Sequence, residues 1–178
     1  MKIACINNMN NNMFSVARYL RDRGYDAHLF LHSNGYAHFM PEADSYNNDY
    51  EIFTHQLDWH EKSFLSTLGG ASFRKDMEDY RFCMGCDYTP YFFQRMGRKL
   101  DMFVPQGSDI FDFPFHKPAI SMLGLKKFIM SAIHKRGVKN SRYISLDITN
   151  PDMEKDYERL HYKGERLEAA CPFLYMPQ

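Results

Sequence analysis

Charge of one sign is the first thing this chain lacks. Its 22 Lys and Arg meet 22 Asp and Glu, so the formal net charge is zero. Nucleic-acid binders draw much of their affinity from neutralising phosphates and carry a basic excess, so no nucleic-acid partner is expected. Long apolar runs are missing too. The opening Met1-Lys2-Ile3-Ala4-Cys5-Ile6 stops at Asn7-Asn8, too short for the apolar stretch of a signal peptide. Nowhere does a run approach the roughly 18 apolar residues that span a bilayer. Cysteine is scarce: Cys5, Cys83, Cys86 and Cys171 in 178 residues make no disulfide scaffold. Repeats and low-complexity tracts are absent. These absences predict one soluble globular domain of a reducing compartment.

Aromatics, by contrast, are abundant. The chain holds 15 Phe, 12 Tyr and 1 Trp within a 44% hydrophobic composition, enough for a sizeable core and at odds with disorder. Lys2 to Ile6 reads as a strand. A helix follows from Phe14, stopped by Gly24, and Ala27 to His32 reads as a second strand. Strand, helix and strand within about 30 residues form a βαβ unit, which implies a parallel sheet. Residues 33–80 show no sustained period and are expected to be irregular, with one short helix from Asp58 to Leu68. Strands are predicted at Arg81 to Cys86, Leu100 to Pro105, Tyr143 to Ile148 and Pro172 to Met176. Helices are predicted at Thr89 to Lys99, at Ala119 to Arg136 closed by Gly137, and after Asn150-Pro151. The alternation is that of a doubly wound α/β domain, Rossmann-like, with a mostly parallel sheet and helices on both faces.

Ligands of such sheets bind beyond the C-terminal ends of the strands, and two segments there carry candidate chemistry. The loop Asn7-Asn8-Met9-Asn10-Asn11-Asn12 follows the first strand and contains no glycine, so it is no dinucleotide fingerprint. Asparagine tolerates left-handed backbone and adds amide donors, which suits another polar ligand through Asn8, Asn10, Asn11 and Asn12. Ligand-free turn chemistry explains the loop equally simply. The second segment is Val104-Pro105-Gln106-Gly107-Ser108-Asp109. Gly107 permits close backbone approach, and Asp109 either meets a hydroxyl or acts as a base; the competing reading is a helix cap or Asx-turn. Cys83-Met84-Gly85-Cys86 has no companion ligands for zinc and is expected to be ordinary core cysteine. None of the eight histidines falls in a ligand pattern.

Gly107-Ser108-Asp109-Ile110 at a strand end resembles the His-Gly-Ser/Thr-Asp motif in the N-terminal domain of retaining glycosyltransferases with the GT-B fold, the family 4-like enzymes of bacterial surface polysaccharides. Gly85-Cys86-Asp87-Tyr88-Thr89-Pro90 is similar to the turn one unit earlier, and Cys171 to Pro177 to the segment entering the interdomain linker. The resemblance implies a single acceptor-side domain over residues 1–178, with a second, nucleotide-sugar-binding domain outside this chain. It implies a nucleotide-sugar donor, a glycan or lipid-linked acceptor, no cofactor and no metal. It also implies a cytoplasmic location, peripheral on the inner face of the membrane when the acceptor is lipid-linked. Asp109 would belong to the catalytic centre, with Asn8, Asn10, Asn11, Asn12, Gln106, Gly107 and Ser108 lining the substrate side. Two departures matter. Gln106 stands where relatives often carry His, and the first loop is asparagine-rich where relatives have glycine. A nucleotide-sugar epimerase domain and a flavodoxin-like binding module are the alternatives. The predicted helix at Ile120 to Ile133 mixes Lys126 and Lys127 with Leu123, Leu125, Phe128 and Ile129, a pattern shared by core-packed helices and membrane-surface helices.

Overall fold

The computed structural model describes residues 1–32, 37–45, 47–59, 69–118, 120–146, 151–168 and 176. Seven strands form one sheet: β1 (Lys2–Ile6), β2 (Asp26–His32), β3 (Thr54–Leu57), β4 (Phe82–Gly85), β5 (Met102–Phe103), β6 (Tyr143–Leu146) and β7 (Glu165–Glu168). Their order is β3-β2-β1-β4-β5-β6-β7, and every pairing is parallel. The helices are α1 (Asn12–Asp22), α2 (Gly69–Met77), α3 (Thr89–Met96), α4 (Ser108–Phe111), α5 (Met122–Asn140) and α6 (Pro151–Leu160). This is a doubly wound, Rossmann-like α/β fold. The strand order reverses between β1 and β4, which opens the crevice where such sheets take ligands.

The alternating faces of β1 explain the two-sided core. Ile3 and Cys5 pack with Met13, Phe14 and Ala17 of α1 and with Tyr50 and Phe53. Ala4 and Ile6 face the other layer, with Trp59, Phe73, the aromatic run Tyr91-Phe92-Phe93, and Val138 and Tyr157. A strand buried on both faces reads as a continuous apolar run, as Ile3 to Ile6 does.

Several expectations are corrected. Among its described residues the irregular excursion holds three short 3-10 turns and the edge strand β3, which its polar Thr-His-Gln-Leu sequence conceals. Asp58 and Trp59 are not helical, and the rest of the helix expected to Leu68 lies outside the described residues; the helix found is α2. Gly137 does not close α5, which runs on to Asn140. Its role is contact. A Cβ there would lie 2.1 Å from the Pro90 carbonyl oxygen, so the missing side chain lets α5 seat against α3. The strand expected at Pro172 to Met176 falls almost wholly outside the described residues, whereas β7 was not anticipated. Cys83 and Cys86 are both buried and unlinked, and they face opposite layers of the core. Burial pushes the Cys83 thiol up to about 12, so it is inert as a nucleophile.

Candidate functional site

Three turns meet beyond the C-terminal ends of β1, β4 and β5, and their backbone is unusual. Asn7, Asn10, Asn11 and Asp87 all adopt left-handed φ between 51° and 65°, and Gly107 takes φ 146° with ψ −110°. Asn and Asp enter this region more readily than other residues with a Cβ, while the Gly107 conformation is open only to glycine. The glycine-free loop therefore turns sharply on asparagine, as the sequence suggests.

The side chains then knit the turns together. Asn7 spans the crevice, its Nδ2 donating to Asp87 Oδ2 at 3.1 Å, while its Oδ1 accepts the backbone N–H of Asn8 at 2.9 Å. Asn8 is buried; its Nδ2 donates to Asn11 Oδ1 at 2.8 Å and to the Phe39 carbonyl. Its Oδ1 accepts the Phe14 N–H at 3.0 Å, capping the first turn of α1 from outside the helix. Asn12 is 1% exposed, and its Nδ2 donates to Gln106 Oε1 at 2.7 Å. Its Oδ1 has no partner among the described residues. Asn10 and Ser108 are exposed, whereas Asn11, Gln106 and Gly107 are half-buried.

Asp109 differs from its expected part. Only 5% exposed, it reaches back from the first turn of α4 and accepts the backbone N–H groups of Gln106, Gly107 and Asp87, that of Gln106 shared between its two oxygens. Oδ1 takes the N–H groups of Gln106 at 3.0 Å and Gly107 at 2.9 Å; Oδ2 takes those of Asp87 at 2.9 Å and Gln106 at 3.2 Å. Burial pushes its carboxyl up to about 6, and those backbone donors pull against burial. Facing backbone rather than the crevice, Asp109 is a positioning residue: it ties the β4 turn to the β5 turn and holds Gly107 in place.

Sequence reasoning passed over three participants. Asn7 and Asp87 form the bridge across the switch point, and their signal is a short polar residue within two positions of the end of a strand. His134 of α5 is fully buried among the rings of Tyr88, Phe103 and Phe113. Its Nε2 lies 2.7 Å from the Asp109 carbonyl oxygen, which only accepts, so Nε2 carries the proton. Burial holds the imidazole down at about 4, neutral near pH 7.

Together these features define a Rossmann-like domain with an amide-lined crevice at its switch point. Among the described residues, no cluster of three His, Cys, Asp or Glu side chains is placed to hold a metal ion. No family model and no curated protein matches the chain. Among solved structures it is similar to a "putative epimerase" from Burkholderia cenocepacia J2315, at 12% identity and a TM-score of 0.38. The match covers 81% of this chain and 52% of the other, so this chain spans about half that protein's length. A likeness of that degree says nothing about what this chain does.

Proposed function

We propose that the crevice binds a sugar, and that the chain is the acceptor-side part of a glycosyltransferase using a nucleotide-sugar donor. The observation that carries this reading is the junction of Asn12 and Gln106, two amides from different strand ends joined at 2.7 Å beside exposed Asn10 and Ser108. Neutral amides and hydroxyls both donate and accept, which matches the hydroxyls of a sugar. Residues 7–12, 86–89 and 104–109 contain no Lys or Arg, so these turns suit the uncharged acceptor better than a diphosphate. Basic groups for the diphosphate would come from a second domain. The two carboxylates within these turns are both engaged, Asp109 by backbone and Asp87 by Asn7. Such a site suits a transfer in which the donor phosphate, rather than a side chain, assists removal of the acceptor proton.

The test is a titration of the isotope-labelled chain with mono- and disaccharides and with nucleotide sugars, followed by amide chemical shifts. Shifts confined to residues 8–12 and 106–109 are expected. Q106A should weaken binding about three- to tenfold, the worth of one neutral hydrogen bond. Unmoved amides at these turns across the whole panel would refute the reading. A turnover assay with the nucleotide-sugar-binding domain supplied separates the alternative: transfer to an added glycan acceptor supports the transferase, whereas acceptor-free inversion of the nucleotide sugar supports an epimerase.

A further inference from the structure

Three phenylalanines follow Gly107 closely, Phe111, Phe113 and Phe115, and the structure uses them unequally. Phe113 packs edge-on against the rings of Tyr88 and His134, and Phe115 lies beneath the cations of Lys135 and Arg159. Both are half-buried against the core. Phe111 ends α4 at 50% exposure and, among the described residues, has no ring or cation partner. A single exposed phenylalanine is ordinary on any protein surface. Its place in the fold sets this one apart. α4 grows directly out of the turn that borders the crevice, and the Phe111 N–H donates to the Gly107 carbonyl at 3.3 Å. The end of the ring comes back to Gly107: a Cβ there would lie 3.5 Å from Phe111 Cε1 and 3.9 Å from Cζ. Ser108, three residues before Phe111, is exposed on the same side of this short helix. Asp109 meanwhile holds the N–H groups of Gly107 and Gln106, so the ring and the Gln106 amide stand on one tied turn.

A phenyl ring beside neutral amides and a hydroxyl matches a ligand with two kinds of surface. A pyranose has both. Its hydroxyls project around the rim, where amides and hydroxyls meet them, and its axial C–H groups cover the faces. Those hydrogens carry a slight positive charge, which the negative face of an aromatic ring attracts. An open-chain polyol offers the same hydroxyls but no such face. A phosphate gains nothing from a phenyl ring, and the turns around it contain no Lys or Arg.

We propose that Phe111 is the specificity-determining platform of the crevice, taking the C–H face of a pyranose whose hydroxyls meet the Gln106 amide and the Ser108 hydroxyl. This rests on the sugar reading above and narrows it to ring-closed sugars with an uninterrupted apolar face, of which the all-equatorial glucosides are the simplest.

Titration of the full chain, carrying isotope-labelled phenylalanine, with methyl β-glucoside, glucitol and uridine tests it. The Phe111 ring signals, assigned by their loss in F111L, should move with the glucoside, and saturating them should dim the sugar protons of its C–H face. F111A and F111L should each weaken the glucoside about three- to tenfold, the worth of one aromatic contact, and F111W should restore it. Glucitol should bind wild type no better than F111A. Phe111 lies outside the core, so melting temperatures should match wild type, and F111L keeps the apolar bulk while removing the ring. Glucoside binding that shifts the amides of residues 106–109 and weakens in Q106A, yet is unchanged in F111A and F111L, would overturn the platform and leave the sugar reading standing. A glucoside that moves neither the amides nor the ring would overturn both. Uridine moving the Phe111 ring where the glucoside does not would make the ring a base-stacking surface and equally overturn the proposal.

Discussion

Asp109 shows how an acid that looks available in sequence becomes unavailable in three dimensions. Its carboxylate oxygens are each shared between two backbone donors, so an amide in its place turns a donor toward at least one of those N–H groups. D109N should lower unfolding stability by about 1–3 kcal/mol in urea titrations, the cost of a buried donor left without its acceptor. A change under about 0.5 kcal/mol would show that the tie is dispensable. His134 leads to a pH prediction. An unfolded chain protonates this imidazole near 6.5, whereas the folded chain resists until about 4, so its contribution to stability falls as pH drops through that window. Asp109 works in the opposite direction, because its folded carboxyl takes up a proton near 6 and its unfolded one near 3.8. The comparison that isolates the imidazole is with H134Q, whose amide still donates to the Asp109 carbonyl. Between pH 7 and pH 4 the variant should gain up to about 3 kcal/mol on wild type, at roughly 1.4 kcal/mol per unit. Parallel pH profiles would mean that His134 is not held neutral by burial.

At the scale of elements, legibility followed burial. The central strands β1, β2 and β4 announce themselves as apolar runs because both their faces are covered. The two strands that escaped, β3 (Thr-His-Gln-Leu) and β7 (Glu-Arg-Leu-Glu), are the two edges of the sheet. An edge strand pairs on one side only, and polar residues in β3 and charged ones in β7 discourage pairing with another chain, so neither sequence carries the signal that identifies a strand. The site divides in the same way. The loops were found because they end buried strands, but which amides point inward depends on contacts such as Asn8 with Phe39, remote in sequence. Gly137 was misread for a related reason: helix-stop glycines and close-contact glycines look identical until the neighbouring helix is known. G137A would gain about 1 kcal/mol of helix propensity. Yet its methyl group would collide with the Pro90 backbone, so a net loss of about 1–3 kcal/mol is expected in thermal unfolding. A stabilised variant would show that α5 and α3 can separate at no cost.

For the whole molecule, the doubly wound topology places a ligand beyond the C-terminal ends of the strands, where the order reverses between β1 and β4. The topology has a further consequence for how the chain comes into being. β1 lies in the interior of the sheet, yet it is made first. One of its edges is covered once β2 follows, with Ile3 opposite Ala27. The other must wait for Phe82 to Gly85, after the entire irregular excursion has left the ribosome. Until then Ile3 to Ile6 offer an unpaired parallel edge and an apolar surface to whatever is nearby. Long-range parallel pairing of this kind is slow, and the nascent chain is exposed to misassociation throughout the delay. The same central placement of β1 that builds the crevice leaves its second edge open until β4 has been made.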